Sequence, residues 1–318
     1  PRVRRQRQMC IRDRLFMDGM LLLEGYKLKQ AVYLNLQKHT IFITHSDYYT
    51  PVVMFDLLER YFGKKDFSEK YLQSNIQISL NNDKLMPTDY IVYRIKPVID
   101  LEAETKIVKK SVLGQFLEQK YRDQEDVFQS VSETMETEIL AKINNTLTAY
   151  GMKMCCQEQN IFNFAKMLTL NCYVENEEIL FKEHSQYQAK KFFLDLISKL
   201  VTEKPKLLLF ELPEYGLDDS EIKALFHSLI NVDNIENVLI YTNSKEILEY
   251  VRDIYAYHII KAGSILGFDD YDEMELLISD KFYNGKSKEQ LLDELLKAVF
   301  NETEYNEKFG DIDKLFRK

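Results

Sequence analysis

The sequence predicts an α/β protein built around a mostly parallel sheet. Two short, uninterrupted apolar runs, residues 206–212 (KLLLFEL) and 237–242 (NVLIYT), are typical of strands buried on both faces. A third run, residues 39–45 (HTIFITH), is rich in β-branched and aromatic residues and precedes a helical pattern. Helical patterns separate the strand-like runs along the chain, and this alternation favours a parallel α/β core.

The first strand of this core is followed by residues 46–51 (SDYYTP), which break the strand pattern. Thr50 and Pro51 fit an N-cap and a first helical position. The helix that follows places its apolar residues on one stripe: Met54, Leu57, Leu58 and Tyr61. We expect the opening strand and helix of an α/β unit here.

Two further strand-like runs follow, residues 75–80 (NIQISL) and 89–95 (DYIVYRI). The intervening residues 81–88 (NNDKLMPT) contain Asn, Asp and Pro, which favour a turn or short loop. This spacing predicts an antiparallel hairpin beside the main sheet.

A helical arm is predicted after this hairpin. Between about Glu104 and Gly151 the chain is polar, lacks proline and carries apolar residues at helical intervals: Val127, Val131, Met135, Leu140, Ile143 and Leu147. Such a segment is expected to form a separate subdomain with an exposed docking face.

The second half of the chain returns to the α/β pattern. Residues 188–201 have a helical apolar stripe, and residues 206–212 are expected in the centre of the sheet. Asp218 and Glu221 have the spacing of a capping box at the start of the next helix. Residues 256–266 then predict a closing hairpin.

These patterns predict five segments. Residues 1–14 contain six Arg and one Asp without any periodicity and are expected to be non-native sequence. The others are the head's N-terminal half (15–105), a helical arm and return (106–203), the head's C-terminal half (204–266) and a helical C-terminal extension (267–318).

Composition limits the functions that fit. The 318 residues carry a net charge of -9, and without residues 1–14 the 36 basic and 50 acidic residues give -14. Such a chain repels DNA on average, so DNA contact would need a local basic surface or a concave face built by oligomerisation. The four Cys and five His lack metal-ligand spacing, and no apolar run approaches the ~20 residues that span a bilayer. We expect a protein of the cytoplasm without membrane contact.

The order of segments resembles the ATP-binding-cassette nucleotide-binding domain. Residues 39–58 take the place of the phosphate-binding loop, residues 181–200 of the signature loop and its helix, residues 204–222 of the Walker B strand and D-loop, and residues 237–266 of the switch-histidine strand and final hairpin. The resemblance implies an ATP-binding-cassette-like head, of the kind also found in SMC ATPases, with an inserted arm.

The residues that phosphoryl transfer needs are missing from the phosphate-binding and Walker B segments. Residues 45–50 contain neither Gly nor Lys, so they cannot form an anion-binding loop. Glu211 replaces the Walker B Asp, and Leu212 replaces the catalytic Glu.

The signature and switch segments have lost their functional residues too. Asn243 stands in place of the switch histidine, and the signature serine-glycine pair has become Glu183, His184 and Ser185. We therefore expect no ATP hydrolysis, no required cofactor and no enzymatic activity.

A degenerate cassette head with a helical arm resembles the adaptation-specific spacer-acquisition protein of type II-A CRISPR systems, in its long variety. The resemblance rests on the order of strands and helices in residues 28–62, 151–168 and 204–242. It implies a homotetrameric ring that threads double-stranded DNA ends, with calcium at acidic subunit contacts. It also implies two partners, the CRISPR adaptation integrase and the RNA-guided effector nuclease.

Candidate DNA contacts follow from lysine clusters on predicted helices. Lys106, Lys109 and Lys110 fall on one face at the root of the arm, and Lys190 and Lys191 begin the helix before the buried strand. A solvated helix face explains each cluster somewhat better than DNA contact does.

Oxygen ligands for calcium could come from Glu211, Asp218 and Asp219. A buried-strand carboxylate and a helix cap explain the same residues without any metal.

Two other functions stay open at this point. One is a divergent cassette or SMC-type ATPase of DNA repair, with the arm as a short coiled coil. The other is a protein-interaction module that uses the arm and the acidic C-terminal segment and does not bind DNA.

Overall fold

The computed structural model describes residues 19–44, 47–65, 76–108, 111–121, 125–154, 163, 170–174, 177–244, 247, 256–261 and 264–268. The chain divides into two compact units. Unit 1 comprises Pro1–Val98 and Thr202–Lys318, and unit 2 comprises Ile99–Val201. The segment 1–14 and all of the predicted C-terminal extension beyond Phe268 lie outside the described residues.

The described elements follow one another in this order: β1 (Gly19–Glu24), β2 (Val32–Leu36), β3 (His39–Ile43), α1 (Tyr49–Phe62), β4 (Gln77–Leu80), β5 (Asp83–Lys84), β6 (Ile91–Ile95), α2 (Leu101–Glu104), α3 (Val112–Tyr121), α4 (Glu125–Thr134), a π-helical turn (Met135–Leu140), α5 (Ala141–Leu147), β7 (Cys172–Val174), β8 (Glu177–Ile179), α6 (Gln186–Lys199), β9 (Lys206–Glu211), α7 (Asp219–Ile230), β10 (Asn237–Thr242), β11 (Ala256–Lys261) and β12 (Ser264–Phe268). In the part of the chain that is described, no helix is long and apolar enough to cross a membrane.

The main sheet of unit 1 has six strands in the order β12-β11-β3-β10-β9-β6. The four neighbouring pairs from β11 to β6 are parallel, and β12 joins β11 as an antiparallel hairpin. This architecture confirms the predicted α/β class with a mostly parallel sheet, and it confirms the closing hairpin.

Strands β9 and β10 are buried along their whole length, as their apolar runs predict. However, β9 lies second from the edge of the sheet, and β3 and β10 occupy the middle. The prediction of a central β9 is wrong, because among the described strands of this sheet β6 alone lies between β9 and the edge.

The predicted hairpin of residues 75–95 is wrong. β4 pairs antiparallel with β1 in a second sheet, of order β2-β1-β4-β5, whereas β6 pairs parallel with β9 in the main sheet. The local hairpin instead joins β4 to the two-residue strand β5 through Asn81 and Asn82, which both have positive φ (51° and 70°). Asparagine tolerates this backbone conformation, which tight two-residue hairpin turns require.

The core of unit 1 joins the two sheets and α1. Its fully buried members include Leu23 of β1, Phe42 of β3, Phe55 of α1 and Tyr241 of β10. Phe42 and Phe55 meet edge to face, with ring centroids 6.3 Å apart. The predicted apolar stripe of α1 faces this core, which fixes the start of α1 at the ends of the parallel strands.

Asp47 caps α1, not Thr50 as the sequence suggested. The Asp47 carboxylate accepts hydrogen bonds from the Thr50 amide and the Thr50 hydroxyl, both at 3.0 Å. The helix therefore begins earlier, at Tyr49, with Pro51 inside its first turn. An acidic cap also complements the positive end of the helix dipole.

Unit 2 contains α2 to α6 and the small β7–β8 hairpin. Helices α4 and α5 continue through the π turn, and Gly151 ends this stretch in the left-handed conformation with φ of 68°. Ser185 caps α6 by accepting a hydrogen bond from the Gln188 amide at 3.2 Å.

Candidate functional site at the carboxyl edge of the parallel sheet

The chain changes direction across the sheet between β3 and β10. The connection after β3 leads to β6 on one side, and the connection after β10 leads to β11 on the other. In open α/β sheets, ligands bind at the carboxyl ends of the strands at such a switch point. The Thr44 amide donates to the Thr242 carbonyl at 3.2 Å, so the two strand ends stay together here.

The loop after β3 presents a carboxylate where a phosphate site would need donors. The Asp47 amide donates to the Thr44 hydroxyl at 3.0 Å, and the Asp47 carboxylate takes up the Thr50 amide. His45 and Ser46, the other predicted members of this loop, lie outside the described residues. Backbone amides at helix starts bind anions in other proteins. Here the Thr50 amide is already bound to the carboxylate of Asp47.

A second carboxylate lies at the end of β10. One oxygen of Glu214 accepts from the Thr242 hydroxyl at 2.8 Å and from the Asn243 amide at 3.1 Å. The sequence interpretation set Asn243 in place of the switch histidine. The bond from its amide to Glu214 ties its backbone to the loop after β9. The arrangement holds the β9 and β10 loops together without any ligand.

The hydroxyl of Tyr241 reports the electrostatics of this edge. The side chain is fully buried, and its hydroxyl makes no hydrogen bond within the described part of the chain. Burial raises the pKa of Tyr241, and the nearby Glu211, Glu214 and Asp47 raise it further. The edge therefore disfavours added negative charge.

An ion-pair network lies farther along this edge of the sheet, at the ends of β6 and β9. Arg94 donates to one oxygen of Glu211 from Nε at 3.1 Å and from Nη2 at 2.7 Å. Its Nη1 donates to Glu59 of α1 at 3.0 Å, and Lys65 also pairs with Glu59. Arg94 and Glu211 side chains are each 11% exposed, so the pair is largely shielded from water.

The network stabilises the charged forms of Arg94 and Glu59. For Arg94, burial lowers the pKa, but the hydrogen bonds and charges of Glu211 and Glu59 outweigh it and leave the pKa raised. For Glu59, burial raises the pKa, yet Lys65 and Arg94 together lower it below its usual range. A guanidinium therefore neutralises the carboxylate that the sequence offered as a metal ligand.

The remaining predicted metal ligands, Asp218 and Asp219, lie at the start of α7. Asp218 caps α7 by accepting from the Glu221 amide at 2.9 Å, and Glu221 returns a bond to the Asp218 amide at 3.2 Å. This reciprocal pair confirms the capping box. Asp219 belongs to the first turn of α7. Among the described residues, no group of three or more acidic, histidine or cysteine side chains could hold a metal ion.

Leu212, which the sequence interpretation set in place of a catalytic carboxylate, has a left-handed backbone conformation with φ of 44°. Its amide donates to the Tyr241 carbonyl at 2.8 Å, which fixes the turn after β9. In unit 2, Glu183 accepts from the Leu180 amide at 2.9 Å, and Ser185 is a helix cap. Glu183 and Ser185 thus have structural partners.

The predicted DNA-contacting lysines have different environments. Lys106 is exposed, whereas Lys109 and Lys110 lie outside the described residues. Lys191 is exposed, with its Nζ 5.9 Å from the ring centroid of Tyr187. Lys190 has no exposed surface, so the prediction that it contacts DNA is wrong.

Sequence reasoning missed Arg94, Asp47 and Glu214. The only sequence signal for Arg94 is a charged residue inside an apolar strand run, which requires a buried partner when the strand is internal. Asp47 has cap-like chemistry three residues before the predicted cap Thr50. Glu214 carries no local signal of its role, since it accepts from Thr242 and Asn243 of another strand and its loop.

Comparisons with known proteins give similarity of structure alone. No family model matches the sequence. No curated protein matches it either. The solved structure of Stu0660 of Streptococcus thermophilus is similar with a TM-score of 0.67 and 13% sequence identity, over 85% of this chain and 82% of that chain. At this identity, the likeness is one of fold.

A second solved structure is cbiO1 from Clostridium perfringens, part of the ABC transporter complex cbiONQ. Its TM-score is 0.40 with 15% identity, over 83% of this chain and 96% of that chain. This TM-score is too low to support a shared fold.

Proposed function

We propose that this chain is a non-catalytic protein that binds the ends of double-stranded DNA during CRISPR spacer acquisition. The observation that carries the non-catalytic part is the chemistry of the carboxyl edge. Asp47 and Glu214 place negative charge at the switch point, and Arg94 pairs with Glu211.

Nucleotide turnover would require the reverse arrangement. Triphosphates need amide donors, a cation and a residue that positions water. Here the Thr50 amide is bound to Asp47, and Leu212 offers no polar group. The alternative of a divergent ATPase of DNA repair therefore has the weaker support.

Two likenesses support the DNA-binding part. The order of strands and helices resembles the type II-A spacer-acquisition proteins, and the fold is similar to that of Stu0660 over most of both chains. By this resemblance we propose a homotetrameric ring in the cytoplasm, with calcium at acidic subunit contacts. The proposed partners are DNA ends, the adaptation integrase and the RNA-guided effector nuclease.

A ring also accommodates the net charge of -9. An acidic outer surface and a more basic lumen would allow backbone contacts that do not depend on DNA sequence. Such contacts weaken steeply as salt concentration rises.

The test is binding of the purified protein to linear and to closed-circular duplex DNA over a salt series, with and without calcium. We expect binding to linear DNA only, with strong salt dependence. The chain without residues 1–14 is the control for non-specific attraction by the six Arg of that segment. Absence of binding at low salt in both metal conditions would leave a protein-interaction module as the better account.

Nucleotide is tested separately by thermal unfolding with and without magnesium and ATP. We expect no shift of the melting temperature, because the Thr50 amide is bound to the Asp47 carboxylate and because residues 45–50 contain neither Gly nor Lys. A clear rise would restore the ATPase alternative.

A further inference from the structure

Lys27, Lys29 and Tyr49 lie together where the β1–β2 turn meets the start of α1, and Tyr48 directly precedes Tyr49 along the chain. Lys27 and Lys29 belong to the turn, and Tyr48 and Tyr49 to the entry of the helix. We call these four residues the Lys–Tyr surface. The Tyr49 hydroxyl donates to the Lys27 carbonyl at 3.1 Å, which joins the two segments.

Cation–π contacts order both lysines. Lys29 Nζ lies 5.8 Å from the ring centroid of Tyr49, and Lys27 Nζ lies 5.2 Å from that of Tyr26. Tyr26 is itself buried, and its hydroxyl donates to Asp56 of α1. The turn is thus anchored to the helix, so its lysines are presented from a defined position.

The surface is open to solvent. Tyr48 is 48% exposed and Tyr49 51% exposed, and both lysines are exposed. The nearest acidic residue of the helix entry, Asp47, has its carboxylate bound to Thr50, while Glu24 at the end of β1 is exposed. Positive charge beside an accessible aromatic ring is the combination that single-stranded nucleic acid recognises.

We propose that the Lys–Tyr surface binds an unpaired DNA strand end, with Lys27 and Lys29 at successive phosphates and the Tyr48 ring stacked on a base. Paired bases inside a duplex are stacked on one another, so only a frayed or overhanging base can reach the ring. This inference rests on the proposed function, because it assigns to this surface the terminal nucleotides of the DNA end.

The first experiment compares the full chain with its Tyr48→Leu variant on two labelled duplexes, one blunt and one with a short single-stranded overhang. We expect about fivefold or greater loss of affinity for the overhang duplex, since stacking on one aromatic side chain contributes that much. Affinity for the blunt duplex should be unchanged. Equal affinities of variant and wild type for the overhang would overturn the role of Tyr48.

The second experiment tests the lysines through salt dependence. For the Lys27→Gln/Lys29→Gln double variant we expect the slope of log affinity against log salt for the overhang to become shallower by about 1.4, or ~0.7 per phosphate contact. The matched control is Lys84→Gln/Lys204→Gln, which removes two exposed lysines elsewhere in unit 1. Its slope should stay closer to that of the wild type.

The outcomes separate the two proposals. If the wild type binds neither duplex, the proposed function fails, and this inference with it. If the wild type binds both duplexes and the Lys27/Lys29 variant matches its control, the assignment of this surface is wrong while DNA binding stands. Melting temperatures of all variants are measured first, so that a loss of binding is attributed to the surface only when the fold is intact.

Discussion

Arg94 donates three hydrogen bonds to two carboxylates that come from different elements, Glu211 of β9 and Glu59 of α1. In a site shielded from water, each of these charges depends on the others, because the low dielectric penalises any one that is left alone. The network therefore tethers α1 to the edge of the sheet.

Replacing Arg94 by Met should lower the free energy of unfolding by about 3 kcal/mol, since the shielded carboxylate of Glu211 loses its partner and Glu59 keeps only Lys65. Urea denaturation measures this loss. The matched control is Arg60→Met, which breaks the more exposed pair with Asp56 and should cost less than ~1 kcal/mol.

A second substitution tests the cause. In Arg94→Met/Glu211→Met, the unpaired carboxylate of β9 is gone, and we expect part of the lost stability to return. Equal losses in the single and double variants would contradict the charge argument and point to packing instead.

At the scale of elements, caps decide where the helices begin. The sequence correctly indicated the capping box of α7, where Asp218 and Glu221 bond reciprocally. It misplaced the cap of α1 because Asp47, Thr50 and Pro51 all carry cap-like chemistry within one turn. Ser185, a remnant of the signature loop in the sequence interpretation, acts as the cap of α6.

Ser185→Ala should lower the free energy of unfolding by about 1 kcal/mol, because the Gln188 amide loses its acceptor. Ser185→Asp keeps an acceptor and should retain most of the stability. Ser198→Ala, in the last turn of the same helix, is the control and should have a smaller effect, since alanine favours helices. Chemical denaturation distinguishes the three, and equal losses for Ser185→Ala and Ser198→Ala would refute the cap.

At the scale of the whole molecule, two buried histidines link folding to pH. His39 and His258 lie on the neighbouring strands β3 and β11 and are 3% and 1% exposed. Burial lowers the pKa of His39 to about 4, with Lys38 adding to the effect, and burial alone lowers that of His258 to about 4. Both are neutral in the folded protein at pH 7.

In the unfolded chain, His39 and His258 bind protons near pH 6.5. In the folded chain, these two histidines do not bind protons until about pH 4. Stability is therefore fully present above pH 6.5 and is lost as the pH falls toward 4. Between about pH 7 and pH 5, we expect a loss of roughly 2 kcal/mol for each histidine. Urea midpoints across this range measure the loss.

The pH test has an internal control. His39→Gln should flatten the pH dependence, and His227→Gln should leave it unchanged, because His227 is an exposed residue of α7. A dependence that stays steep without His39 and His258 would assign acid sensitivity to other groups. The shifted carboxylates act at lower pH, since the pKa of Glu59 lies below its usual range.

The sequence by itself determined the features that depend on neighbours along the chain. Uninterrupted apolar runs marked β9 and β10 as strands buried on both faces, and the alternation of strands and helices determined the α/β class. The absence of Gly and Lys from residues 45–50 could be interpreted from the sequence, because phosphate binding needs particular residue types within one short stretch. Each of these inferences uses the types of residues that lie close together along the chain.

Only the tertiary structure decided which strands pair and which charges meet. Residues 75–95 read as a hairpin, but β4 and β6 belong to different sheets, because a strand pattern does not specify its partner. Lys190 looked like a surface charge and is buried, while Arg94 meets Glu211 from 117 residues away. Strand pairing and burial between residues so far apart depend on how the whole chain packs. Local residue patterns do not specify this packing.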